Sequence, residues 1–192
     1  MNVPTMNKQI IFVDSSVQDY QSLIENADGA QIVILNDNLS GIEQITNALA
    51  NQQDIESVHI VSHGSEGSLK LGGNVLNENN LETFSSQIKQ WRNALSEKAD
   101  ILLYACNLAR GQMGQAFVQR LSQLTNANIA AATNLTGSAA LGGDWKLSFR
   151  TGKIAAGLAF SPAAIAAYSH VLPSNRHLRK FPNALYRYFL NL

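Results

Sequence analysis

Short apolar runs alternate with amphipathic stretches along most of this chain. The alternation predicts an α/β domain built on a mostly parallel sheet. Five runs read as strands: 8–13 (KQIIFV), 31–35 (QIVIL), 56–62 (ESVHIVS), 99–105 (ADILLYA) and 128–132 (NIAAA). Each is short and apolar almost without interruption, the pattern of strands buried on both faces. Four stretches between them carry a helical period. Residues 40–51 open at Ser40, with Glu43 three positions on as a capping box, and continue with Ile42, Ile45 and Leu49. Residues 79–95 give the cleanest repeat: Leu81, Phe84, Ile88, Trp91 and Leu95 are spaced alternately by three and four. Residues 110–125 put Met113, Phe117, Leu121 and Leu124 on one face, and 16–26 carry a weaker stripe of Val17, Tyr20 and Ile24. Stripes of this kind ordinarily pack against a sheet.

Two stretches interrupt the alternation. Residues 65–76 (SEGSLKLGGNVL) read as a β-hairpin turning at Gly72-Gly73. Residues 136–151 read as a loop followed by an edge strand near 145–150. The body of the domain is expected over 8–155. An Ala-rich extension over 156–172 then packs on the domain or leaves it, and a basic tail covers 173–192. The tail carries Phe181, Tyr186, Tyr188 and Phe189. Its few basic residues give only weak membrane attachment, so a poorly ordered extension is expected. No repeat of 20–50 residues is visible, which removes solenoids and propellers.

Composition narrows the function classes. Charged residues are 15% of the chain and cancel, with 14 basic and 14 acidic. The tail holds Arg176, Arg179, Lys180 and Arg187 and no acid, so the rest is mildly acidic. That balance argues against a binder of phosphate backbones, which needs a basic face. A single cysteine, Cys106, excludes a disulfide scaffold. No apolar run approaches the ~20 residues of a membrane span. The start (MNVPTMNKQI) lacks the marks of a secretory signal, so a cytoplasmic location is expected. Scattered histidines and one cysteine fit no zinc spacing, no acidic cluster suits calcium, and the glycines match no phosphate loop. No cofactor or metal is expected.

The chemistry-bearing pair is His63 and Cys106. His63 ends the apolar run VHIVSH and is followed by Gly64, while Cys106 ends ILLYAC. In parallel sheets the loops at the carboxyl ends of strands collect functional groups. The two strands are consecutive and joined by one helix, so they are expected side by side, about 4.8 Å apart. A thiol near pKa ~8.5 needs such a neighbouring base, because the thiolate is the nucleophile. The N–H groups of Gly64 and Cys106 could then form an oxyanion hole. His59 lies on the same strand as His63 and reads as a packed strand residue. His170 and His177 receive no role, and Asn107 and Arg110 read as solvated surface.

His63-Gly64 after one apolar strand, and Ala105-Cys106 after the next, 43 positions from histidine to cysteine, resemble the caspase-like cysteine peptidases. More closely, SHGSEGSLKLG, ADILLYAC and TGSAALGGDWKL resemble the bacterial domain-of-unknown-function family numbered 4347, over about residues 8–155. The resemblance implies a three-layer caspase-like sandwich with helices on both faces of the sheet. It also implies a His63–Cys106 dyad, an oxyanion hole from Gly64 and Cys106, and cleavage of a peptide or protein substrate through a thioester. It further implies a place in an exported or surface assembly, reached without an N-terminal signal and with processing of the chain itself or of a partner.

This sequence departs from relatives that cut after Arg or Lys, which place an acid two residues before the cysteine. Tyr104 stands there. Asp14, at the exit of the first strand, and Asp144, in GGDW, are the candidate charges for a basic substrate side chain. Tyr104 is a candidate pocket wall. All three also have plain readings as turn caps or core. Two functions remain open: a cysteine endopeptidase, and a caspase-shaped module without turnover that serves attachment or recognition.

Overall fold

The computed structural model describes residues 8–172 apart from Asn26 and Asp28. The tail read at 173–192 lies outside the described residues. In chain order the strands are β1 (Gln9–Asp14), β2 (Gln31–Leu35), β3 (Ile55–Val61), β4 (Gly64–Ser65), β5 (Ser68–Leu71), β6 (Asn74–Asn77), β7 (Leu95–Tyr104), β8 (Asn128–Ala131) and β9 (Phe149–Arg150). The α-helices are α1 (Tyr20–Ile24), α2 (Gly41–Leu49), α3 (Ser85–Trp91), α4 (Gly111–Thr125) and α5 (Pro162–Ala167).

Six strands form the central sheet in the order β2-β1-β3-β7-β8-β9. The first five are parallel and β9 closes one edge antiparallel to β8. Period-two alternation sorts the apolar side chains into two cores. On one face Ile10, Phe12, Ile60, Ile101 and Leu103 meet the stripes of α2, α3 and α4. Ser40 caps α2 by accepting the Glu43 N–H, and Trp91 Nε1 donates to Thr46 Oγ1 at 2.8 Å to join α3 to α2. On the other face Ile11, Val13, Val61, Leu102, Tyr104 and Cys106 meet α1, α5 and a band of aromatic residues. The result is a three-layer α/β sandwich with helices on both faces. No helix among the described residues is long and apolar enough to cross a membrane.

The 65–76 hairpin is the centre of a three-stranded meander, β4-β5-β6, lying beside the first core. Its two-residue turn is Gly72-Gly73. Gly72 has φ +56, and a Cβ there would stand 2.7 Å from the Leu39 carbonyl oxygen, so both conformation and space require glycine. Phe160, Ala164, Tyr168 and Leu172, in the Ala-rich stretch, are buried in the second core.

Several boundaries differ from those read in the sequence. The repeat over 79–95 is a 3-10 turn at Leu81–Phe84 running into α3, and Leu95 already belongs to β7. Asn80 causes the tight entry by binding Asn77 N–H and the Val75 carbonyl with its side chain. The 16–26 stripe yields only Tyr20–Ile24, because residues 14–19 turn around Asp14 and Asp19 adopts φ +51. The edge strand near 145–150 pairs only at Phe149–Arg150. Residues 155–168 begin as irregular chain, with Ala155 and Ala156 N–H groups donating to Asp100 at 2.7 and 2.8 Å, and become helical only from Pro162.

Candidate active site

Val61 pairs with Tyr104, and the Ser62 N–H donates to the Tyr104 carbonyl at 3.0 Å. The register therefore brings the two strand exits level, with His63 and Cys106 each two residues beyond a paired residue. The two loops touch. A Cβ at Gly64 would stand 2.8 Å from the Ala105 Cβ and 3.2 Å from the Cys106 carbonyl oxygen. Glycine thus lets the backbone after His63 lie against the backbone of Cys106, where a side chain would separate them.

The meander fixes His63 from above. The Lys70 N–H donates to the His63 carbonyl at 3.0 Å, and Ser62 Oγ donates to the Lys70 carbonyl at 2.6 Å. The imidazole, 7% exposed, places Nε2 3.1 Å from the Ser16 carbonyl oxygen. A carbonyl only accepts, so Nε2 carries the proton and Nδ1 keeps its lone pair. Nδ1 is buried and has no hydrogen-bond partner among the described residues. Burial lowers the His63 pKa, with the Ser16 carbonyl acting in the opposite sense, so the ring is neutral near pH 7.

Cys106 is fully buried. Its sulfur accepts the Thr136 N–H at 3.2 Å and contacts the carbonyl oxygens of Thr136, at 3.7 Å, and Leu172. Burial pushes the thiol up to about 11, so it is protonated at neutral pH. No hydrogen bond joins it to His63. The thiol and the imidazole are thus both neutral at pH 7, each on its own loop.

The remaining sequence candidates sit elsewhere. Asp14 is fully buried beneath the His63 loop. Its carboxylate accepts Lys70 Nζ at 2.8 and 3.0 Å, the Ser16 N–H at 3.0 Å, the Ser16 hydroxyl, and the Gly72 N–H at 2.8 Å. Burial raises its pKa, but the Lys70 and Ser16 bonds outweigh that and hold it below the usual carboxylate range. With every lone pair engaged, Asp14 here organises the loop that offers the Ser16 carbonyl to His63. Tyr104 is buried below Cys106 on the same face, with its hydroxyl held between His59 Nδ1 at 3.1 Å and the Ala159 N–H at 3.0 Å. Asp144 accepts from Asn134 Nδ2 at 2.7 Å and the Lys146 N–H at 2.8 Å, and so fastens the 134–146 loop. Among the described residues, no group of three or more His, Cys, Asp or Glu side chains is placed to hold a metal ion.

Three contributors left no mark in the sequence: the Ser16 carbonyl, the Thr136 backbone and Leu172. All act through main-chain atoms, which no residue type announces. Lys70 is the fourth, and only the folded meander brings it to Asp14.

His59 is fully buried, and desolvation lowers its pKa from 6.5 to about 4. The unfolded chain therefore binds more protons than the folded one between these values. The stability due to a neutral His59 is complete above pH 6.5 and is lost as pH falls to about 4. The loss amounts to about 3 kcal/mol at 1.36 kcal/mol per unit, with His63 adding in the same direction. Urea unfolding of native and His59→Gln protein across this range is expected to show a shallower slope in the variant.

A family model described as Domain of unknown function (DUF4347) matches residues 10–172. No curated protein matches the chain.

Proposed function

Because the chain belongs to the DUF4347 family, whose description assigns no activity, we propose from the site itself that it is a caspase-like cysteine endopeptidase using His63 and Cys106. The observation that carries this reading is the contact between the His63-Gly64 and Cys106 loops, with His63 Nδ1 buried and without a hydrogen-bond partner among the described residues.

In the proposed reaction, Nδ1 takes the thiol proton as sulfur bonds to the carbonyl carbon of a substrate peptide. The N–H groups of Gly64 and Cys106 receive the oxyanion. The C–N bond then breaks, and the leaving nitrogen departs with the proton from His63. Water hydrolyses the thioester, returning one proton to sulfur through His63 and releasing the carboxylic acid product. Ser16 acts through its carbonyl, keeping the proton on Nε2 so that Nδ1 is the base.

A second reading, a recognition module without turnover, draws on the sealing of the sulfur and its raised pKa. A peptide-library digest with prolonged incubation separates the two. Native protein is expected to generate cuts that Cys106→Ala protein does not, whereas identical profiles from both favour the silent module.

A further inference from the structure

What covers the sulfur is the chain's own segment 168–172. The Ser138 N–H donates to the His170 carbonyl at 2.8 Å, and the Leu172 N–H donates to the Thr136 carbonyl at 2.8 Å. Gly137 and Val171 form an antiparallel bridge between these bonds. The segment thus lies as an added strand along 136–138, the residues whose backbone also holds Cys106 Sγ. This is the pairing by which an extended peptide docks on an exposed edge.

The contact with the nucleophile is specific. The carbonyl presented to Cys106 Sγ is that of Leu172, and Leu172 is fully buried in the second core, the cluster that also holds Tyr168 and Cys106. Tyr168 anchors the segment at its other end, its hydroxyl donating to the Gln18 carbonyl at 2.8 Å. Close approach is built into the ledge. Gly137 has φ +130, and a Cβ there would run into the backbone of His170 and Val171.

We infer that Tyr168–Leu172 is a built-in occupant of the peptide cleft, and that the bulky aliphatic residue it seats over Cys106 is the class the cleft accepts on the acyl side of a scissile bond. The inference rests on the peptidase reading for its substrate half, whereas the cover itself rests on geometry alone. The resting protein is closed, and a substrate must displace the segment from the 136–138 ledge before its carbonyl reaches the sulfur. The residue whose carbonyl contacts the thiol is leucine, and Asp14, a candidate charge for a basic substrate residue, is already neutralised by Lys70.

Two variants of the full chain test this, each checked for native circular dichroism. Leu172→Ala removes the apolar anchor, and Gly137→Ala places a methyl group where the segment's backbone runs. The rate of Cys106 alkylation by iodoacetamide, read by intact mass, needs no catalysis. It is expected to rise roughly ten-fold or more in both variants, because local opening limits access to a buried thiol. Unchanged rates in folded Leu172→Ala protein overturn the cover. The same variants are then given matched peptides with Leu, Lys or Asp before the scissile bond. Preferential cutting after Leu is expected, and preference for Lys or Asp overturns the aliphatic assignment. Faster alkylation with none of the peptides cut leaves the cover standing and removes the peptidase reading on which the substrate class depends.

Discussion

Lys70→Met is expected to lower the unfolding free energy by about 3–5 kcal/mol at pH 7, the cost of leaving a buried charge without its partner. Asp14 has no exposure and the Lys70 side chain only 11%, so water does not replace the lost ammonium. The deficit should shrink in acid, because the uncompensated Asp14 carboxyl then takes up a proton and no buried charge remains. Asp14→Asn combined with Lys70→Met should be less destabilised than Lys70→Met alone, since an amide leaves no charge to compensate and its one carbonyl oxygen still accepts either the Ser16 or the Gly72 N–H. Urea unfolding of the native protein and the two variants at pH 7 and at pH 4 measures both effects. The consequence reaches the site: Asp14 holds Ser16, and the Ser16 carbonyl holds His63 Nε2. Lys70→Met should therefore also weaken the site under conditions where the protein remains folded.

Strands buried on both faces were legible because burial writes them as unbroken apolar runs. The run QIVIL is β2 residue for residue, although this edge strand is only partly buried, whereas β3 is displaced by one position at both ends and β8 stops one position sooner. The first half of β7 was not legible. Ser96, Glu97 and Lys98 are polar and at least partly exposed, and only the pairing of Leu95 with Ile55 makes that segment a strand. The helical period over 79–95 registered the inward side chains correctly but not the 3-10 turn, whose contacts recur at nearly the same spacing. Within the site, His63-Gly64 and Cys106 stood out because each ends an apolar run. Asp14 stood out for the same reason, although its role depends on Lys70, 56 residues away and invisible to any local pattern. The segment that covers Cys106 reads in sequence as an Ala-rich extension. Its strand pairing with 136–138 is a tertiary fact with no periodic signal in either partner.

His63→Ala is expected to depress both turnover and the reactivity of Cys106 toward substrate-like electrophiles. A thiol at a pKa of about 11 is almost wholly protonated at pH 7, so nearly all its reactivity at that pH must come from a base that removes the proton as sulfur attacks. A positioned base of this kind commonly contributes 10²–10⁴-fold, roughly 3–5 kcal/mol of barrier. His63 Nδ1 is buried and has no hydrogen-bond partner among the described residues. Ser16→Ala should act far more weakly, because the carbonyl that orients the ring belongs to the main chain and remains.

The most direct measurement is the second-order rate at which a peptidyl chloromethyl ketone ending in leucine modifies Cys106 at pH 7, read by intact mass. Such a probe presents a carbonyl to the sulfur as a peptide would and must lift the covering segment to do so. The account predicts modification of the native protein at Cys106 and a rate about 10²-fold lower or less in folded His63→Ala protein. Equal rates in the two proteins, or a folded native protein left unmodified at Cys106, would contradict it.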